Sequence, residues 1–173
     1  MEKNTKQHTI KLCIFALYMA LICLVTMFTK IPIPLGYAHL GDCLILIFSL
    51  LYGGKAGFVV GGVGSAMADF LGGFPYWVVP TFLIKGIMAV LVSLIARDKA
   101  GKYKIYSIRT VVAVVIGMLF MVVGYVIAGG IMEGFAAGLE SAPGLLLKSI
   151  VNIIAFYILA PVCATIKSKE KIV

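Results

Sequence analysis

The sequence is poor in charged and polar residues. Only 13% of its 173 residues are charged, 62% are hydrophobic, and the mean hydropathy is +1.10. A soluble globule needs far more polar surface, so the composition excludes one and indicates an integral membrane protein. Because one span takes about 20 apolar residues, the chain has room for roughly six helices and no sizeable soluble domain. We therefore predict an all-α membrane protein, a bundle of six transmembrane helices that forms a single domain over residues 1–173.

Motifs of the common catalytic and metal-binding classes are also missing. GGKAG has neither the spacing nor the hydroxyl of a GxxxxGK[ST] nucleotide loop, so the chain is not expected to hydrolyse ATP. HExxH, GxSxG and paired-cysteine metal motifs do not occur, and the four cysteines lie far apart. No convincing inverted repeat relates the two halves. These absences predict a binding subunit that is not an enzyme, holds no metal or cofactor, and takes its energy from partner proteins.

The apolar segments that remain define the predicted spans. We expect them at about residues 10–28, 40–52, 56–71, 81–96, 111–131 and 145–166. Pro32 and Pro34 exclude helix from the first connection, where we predict an ordered apolar loop. Pro80 is expected in the first turn of the fourth helix. The segment MEGFAAGLESAPG, before the sixth span, is predicted to be a loop.

Lysine and arginine are distributed unevenly over the connections. The net charge of +8 comes largely from loops and tails, so it reflects membrane topology rather than nucleic-acid binding. One side of the predicted bundle carries Lys3, Lys6, Lys11, Lys55, Arg97, Lys99, Lys102, Lys104, Arg109, Lys167, Lys169 and Lys171. The opposite connections carry only Lys30, with Lys85 and Lys148 just inside helix ends. The positive-inside rule therefore predicts cytoplasmic termini, with basic tails at about residues 1–9 and 167–173.

The third span carries a ridge of small residues. Gly53, Gly57, Gly61 and Ser65 are spaced four apart, and Asp69 continues the same helix face. Such ridges let helix backbones approach closely in a membrane, so this helix is predicted to lie at the centre of the bundle. An acid within a membrane helix costs about 2.5–3.5 kcal/mol on insertion scales, which suggests a functional role for Asp69.

Polar and aromatic residues gather at the end of the predicted bundle that carries few basic loops. Lys148 and Asn152 are four residues apart and share a helix face. A cavity surrounded by such groups is a suitable site for a small polar molecule. The candidate substrate-binding residues are His39, Asp42, Asp69, Tyr76, Trp77, Lys85, Glu133, Lys148 and Asn152.

Each candidate also has a purely structural interpretation. Lys85 and Lys148 could extend to the membrane interface by snorkelling. Asp69 could form a structural ion pair with either lysine, and Asp42 could cap the second helix. His39 could cap or pack, and the aromatic residues of the fourth helix entry could be interface anchors.

A long central stretch resembles a known family. The segment HLGDCLILIFSLLYGGKAGFVVGGVGSAMADFLGGFPYWVVPTFLIKG is similar to the S components of energy-coupling-factor (ECF) transporters, the membrane subunits that capture vitamins for bacterial import. The patterns HLGD, GGKAG, ADFLGG and PTFLIKG indicate a branch labelled riboflavin-type, which includes proteins assigned to pyridoxine or hydroxymethylpyrimidine. The resemblance covers nearly the whole chain.

The resemblance implies a partner-driven mechanism. Ala16 and Ala20 match the alanine motif that docks against the transmembrane T component, and two ABC-type ATPase subunits bind the ATP. Substrate would bind near the outer face of the bacterial cytoplasmic membrane, under a lid at residues 31–35, and cross by toppling of the S component. Among substrates, pyridoxine or hydroxymethylpyrimidine is favoured, followed by riboflavin and pantothenate.

Two other functions are compatible with the residues alone. The chain could be an autonomous small-molecule channel or proton-coupled carrier that uses Asp69 and Glu133 as a relay. It could also be an intramembrane enzyme that uses Asp69 with Lys85. The first of these predicts uptake by vesicles that contain this chain alone.

Overall fold

Six α-helices dominate the computed structural model, which describes residues 2–29, 31–33 and 36–170. They are α1 (Glu2–Phe28), α2 (Gly41–Tyr52), α3 (Gly54–Leu71), α4 (Val78–Ala96), α5 (Ile108–Met132) and α6 (Phe135–Glu170). An antiparallel hairpin of β1 (Ile31–Ile33) and β2 (Gly36–Ala38) joins α1 to α2, and a 3-10 turn (Pro75–Trp77) leads into α4. Four helical segments of 22 to 34 residues are long and apolar enough to cross a membrane. The predicted all-α membrane bundle is confirmed.

The short helix α2 is the most deeply buried element. Ten of its 12 residues are buried, and α1, α3, α4 and α6 all pack around it. At 1.5 Å per residue α2 is about 18 Å long, whereas the hydrocarbon core of a bilayer is about 30 Å thick. The two ends of α2 therefore cannot both reach a membrane surface, and their polar backbone groups need partners inside the protein.

The small-residue ridge of α3 packs against its neighbours, as predicted. A Cβ added at Gly61 of the ridge would lie 2.7 Å from Ile45 Cγ2 of α2, and one added at Gly64, on a neighbouring face of α3, would lie 2.9 Å from Met19 O of α1. Both distances are too short for real contacts, so these positions depend on the missing side chain. These small residues bring α3 against α1, α2 and α4, but the central position predicted for α3 belongs to α2, which is the more deeply buried helix.

The predicted loop before the sixth span is wrong, because α6 already begins at Phe135. Its first turns lie against α5 at Gly138, where an added Cβ would come within 2.7 Å of the Gly130 backbone nitrogen. This close approach explains the small residues of the segment. Pro143 lies inside α6 and removes only one backbone donor, so the helix continues past it. Pro80 stands in the first turn of α4, as expected.

The two ends of the bundle differ in charge. The end that carries the β1–β2 hairpin, the 3-10 turn and the α5–α6 turn is called here the hairpin end, and the opposite one the basic end. At the basic end, Arg97 Nη1 donates to Leu50 O and Leu51 O, both at 3.1 Å, and Lys167 Nζ also donates to Leu51 O. These cations bind the terminal carbonyls of α2, where the helix dipole is negative.

Candidate functional site

A buried acid at the start of α2 is shared by two lysines. Asp42 is fully buried in the first turn of α2, and Lys85 Nζ of α4 donates to its Oδ1 at 2.5 Å. Lys148 Nζ of α6 lies 3.2 Å from Asp42 Oδ2. The exposed fractions of the two lysine side chains are 1% and 7%, so neither snorkels to the interface. This charge triad joins three helices at the positive end of the α2 dipole.

Asn152 extends the triad into a hydrogen-bond network. Its Nδ2 donates to His39 O at 2.8 Å and to Lys148 O at 2.9 Å, while its Oδ1 accepts from the Cys43 N–H at 2.8 Å. The side chain is fully buried and lies on the same face of α6 as Lys148, as the four-residue spacing predicts. Asn152 therefore fixes the chain that enters α2 against α6.

A cavity of about 340 Å³ lies beside the triad at the hairpin end. Its lining comes from the ends of α1, α3, α4, α5 and α6 and from the connections between them. Six of the nine predicted residues line it, namely His39, Asp69, Tyr76, Trp77, Glu133 and Lys148. Asp42, Lys85 and Asn152 are buried next to the cavity and support Lys148 and His39.

Three polar atoms from different elements border this cavity without a protein hydrogen-bond partner in the described residues. They are Thr26 Oγ1 of α1, His39 Nδ1 and Asp69 Oδ2 of α3, and all three side chains line the cavity. Buried polar atoms in native proteins are nearly always hydrogen-bonded. Their convergence indicates that the cavity is built for a polar molecule that carries complementary groups.

Tyr125 of α5 forms part of the cavity wall and was not predicted. Its hydroxyl donates to Thr81 Oγ1 at 3.0 Å, and its ring centroid lies 5.7 Å from that of Trp77. The ammonium groups of Lys85 and Lys148 lie 5.0 and 5.6 Å from the Tyr125 centroid. A phenol in a span whose other aromatic residue is Phe120 was the available signal, because a buried hydroxyl needs a partner.

The comparisons with known proteins agree with this architecture. Residues 6–165 match the family described as ECF-type riboflavin transporter, S component. The chain belongs to this family. The S component is the substrate-binding subunit of a vitamin transporter, so this chain is a multi-pass membrane protein of transport rather than an enzyme.

Two relatives carry less specific descriptions. An uncharacterised protein of Pyrococcus woesei, described by its place in the gap 3′ region, is 37% identical to this S component over 111 residues, 63% of this chain and 71% of the relative. A UPF0397 protein of Lactobacillus helveticus is 27% identical over 104 residues, which are 58% of this chain and 55% of that protein. The S component thus spans about half the length of the second relative.

His39 of the S component lies between the hairpin and α2, outside the helices. Burial and the positive charge of Lys148 lower its pKa well below the ordinary value of 6.5, and Lys85 acts in the same direction against the opposing charge of Asp42. The imidazole is therefore neutral near neutral pH. A neutral imidazole offers one donor nitrogen and one acceptor nitrogen, which suits recognition of an uncharged polar group.

Asp69 and Asp42 have surroundings that bear on their structural interpretations, and Glu133 and Tyr76 lie farther out. Asp69 makes no ion pair with either lysine within 4.0 Å in the described part of the chain, because Asp42 takes both of them. The N-cap position of α2 is Leu40, which makes no side-chain capping bond, and the Asp42 carboxylate accepts from Lys85 instead. Glu133 is exposed at the end of α5, and Tyr76 is 54% exposed at the mouth of the cavity. Both are placed at the rim.

Proposed function

We propose that this S component captures a small water-soluble vitamin or vitamin precursor in the hairpin-end cavity and delivers it across the membrane together with partner subunits. The observation that carries the proposal is the convergence of three unpartnered polar atoms, a lysine and aromatic rings on one cavity. A membrane protein spends stability to keep such groups among its helices, and ligand binding explains their presence.

The volume of the cavity favours a one-ring substrate. Ligand sites commonly measure about 300–1,000 Å³, and the 340 Å³ found here lies at the low end of that range. Pyridoxine and hydroxymethylpyrimidine each contain a single aromatic ring with hydroxymethyl substituents, so either compound suits this space. Riboflavin, which the family description names, is a three-ring compound with a polyol chain and is the next candidate. Pantothenate, whose carboxylate Lys148 could bind, follows.

The arrangement of donors and acceptors suggests a mode of recognition. Lys148 is the member of the triad that lines the cavity. Its ammonium group has three N–H donors, and Asp42 lies on one side of that group. A ring nitrogen or hydroxyl oxygen of the ligand would accept from Lys148. Asp69 Oδ2 would accept from a ligand hydroxyl, and Tyr125 or Trp77 would contact the face of the ring.

The β1–β2 hairpin is the proposed lid. The chain leaving it is tied to α6 through the bond from Asn152 to His39 O, so movement of the hairpin is coupled to the residue that holds Lys148 in register. Of the lid predicted at residues 31–35, Pro34 and Leu35 lie outside the described residues. Closing the lid would keep charged groups away from lipid while the S component topples.

Docking to the T component is proposed for α1. Ala16 and Ala20 are both exposed, and the apolar segment of α1 is only 11% buried, so a wide face of this helix is available to a partner. Two small residues one turn apart permit close helix contact. We propose that the two ATPase subunits bind the ATP, that both termini face the cytoplasm, and that the cavity opens outward in a bacterial cytoplasmic membrane.

Binding by the isolated chain tests the proposal. The purified chain is titrated calorimetrically with pyridoxine, hydroxymethylpyrimidine, riboflavin and pantothenate, and co-purified ligand is identified by mass spectrometry. We expect tight binding of one compound without ATP, and uptake into vesicles only when the T component and ATPases are present. Failure to bind any of the four would contradict the proposal, and uptake by this chain alone would favour the carrier alternative.

A further inference from the structure

Two neighbouring cavities open at the basic end, opposite the proposed vitamin site. Their volumes are about 880 and 770 Å³, and both are lined by Arg97 and Arg109. Lys102 and Lys104 add to the larger one and Lys99 to the smaller one, whereas Asp98 is the one acid among the described residues that line them. The pair of cavities therefore has a strong excess of positive charge.

The two arginines are fixed in place by neutral partners. Arg97 Nη1 binds two carbonyls of α2, while Arg109 Nε donates to Ile95 O and its Nη2 to Arg97 O, both at 3.2 Å. Neither arginine forms an ion pair within the described part of the chain, where both ion pairs involve Asp42. Carbonyls orient a guanidinium group without cancelling its charge, and each group keeps further N–H donors. Such a site is prepared for an anion.

Exposed apolar residues flank the charged cavities. Leu94 lines the smaller cavity and is 69% exposed, and Ile108 is 74% exposed at the start of α5, next to Arg109. Both residues lie near the ends of helical segments that are apolar enough to span a membrane, so we expect their side chains to face acyl chains in a bilayer. Exposed leucine and isoleucine therefore lie close to the arginine-lined cavities along the chain.

We propose that the basic end binds an anionic phospholipid. Its phosphate lies between Arg97 and Arg109, with Lys104 at the edge, and an acyl chain follows Leu94 and Ile108. Arginine recognises phosphate through paired N–H donors, and basic residues beside a membrane helix attract anionic headgroups. The site is separate from the vitamin cavity, and the inference does not depend on the proposed transport function.

Native mass spectrometry of the full chain in detergent tests this inference. The protein is titrated with phosphatidylglycerol or phosphatidylcholine of the same acyl chains, and lipid adducts are counted. Lys104→Gln and Arg109→Gln remove charges from the cavities, while Lys55→Gln removes an exposed lysine at the same end that lines neither of them. Thermal unfolding without added lipid checks that each variant is folded. Inorganic phosphate serves as a competitor.

We expect phosphatidylglycerol to bind in preference to phosphatidylcholine, with about fivefold weaker affinity for each charge removed from the cavities. The Lys55→Gln protein should bind like the unmodified chain. Equal weakening in Lys55→Gln would show a diffuse surface effect and overturn the site. Equal binding of phosphatidylcholine would overturn the charge argument, and competition by inorganic phosphate at the lipid concentration would assign the arginines to a free anion instead.

Discussion

Replacing Asp42 by asparagine should destabilise the S component severely. The carboxylate is fully buried and is the shared partner of Lys85 and Lys148, at 2.5 and 3.2 Å. An asparagine side chain would keep the shape of the aspartate but leave two ammonium groups without a counter-charge. Removing one member of a buried ion pair costs about 3–5 kcal/mol, so the unfolding equilibrium constant should rise about a hundred- to several-thousand-fold. Equilibrium unfolding in detergent measures this change.

A second variant separates loss of charge balance from loss of ligand contacts. When Lys85→Met and Lys148→Met are combined with Asp42→Asn, no unpaired charge remains at the triad, and such apolar replacements are often neutral or stabilising. We expect the triple variant to regain most of the stability but not to bind the vitamin, because Lys148 lines the cavity. If Asp42→Asn alone lowered the free energy of unfolding by less than about 1 kcal/mol, the reasoning would be refuted, since that is the contribution of a solvent-exposed ion pair. Vitamin binding by the triple variant would refute the proposed contact between Lys148 and the ligand.

Three further predictions concern separate regions. The double variant Ala16→Leu, Ala20→Leu should bind vitamin normally but fail to support ATP-dependent uptake, and lost binding would contradict the docking role. Gly61→Ala should lower the free energy of unfolding by about 1–3 kcal/mol, because its Cβ would lie 2.7 Å from Ile45 Cγ2; an unchanged stability would show that α2 yields there. The buried, neutral His39 has a pKa well below its ordinary value of 6.5, so the unfolded state binds the proton first and stability should fall as the pH drops below 6.5. Thermal unfolding should show less of this pH dependence in His39→Gln, and an identical pH profile would exclude His39 as its source.

Most of each helix could be predicted from the sequence, because its apolar segment is encoded locally. Apolar length gave α2 to within one residue at its start, as residues 40–52 against Gly41–Tyr52. The first turns of α6 were not predicted. MEGFAAGLESAPG has the composition of a loop, yet α6 begins within it at Phe135, where Gly138 packs closely against α5. That contact is tertiary, so no local pattern reports it.

The partners within the candidate site could not be predicted in the same way. The sequence indicated Asp69 as a structural partner of Lys85 or Lys148, because all three residues gather at one end of the predicted bundle. The structure pairs both lysines with Asp42, which is 106 residues before Lys148 in the chain. Choosing between the two acids requires knowing how deeply each helix end lies in the bundle. The buried position of the α2 start decides this, because Asp42 is fully buried there and lies 2.5 and 3.2 Å from the two ammonium groups.

The short helix α2 is bound by cations at both of its ends. Lys85 lies on α4 and Arg97 directly follows its last residue, so α4 supplies one cation to Asp42 at the start of α2 and another to the Leu50 and Leu51 carbonyls at its end. On α6, Lys148 contacts Asp42 and Lys167 donates to Leu51 O, so a second helix also binds both ends of α2. Some of these cations also line the cavities, because Lys148 borders the one at the hairpin end, while Arg97 borders both at the basic end and Lys167 the larger of those two. Side chains that bind the two ends of a short buried helix therefore also supply positive charge to the cavities on both sides of the protein.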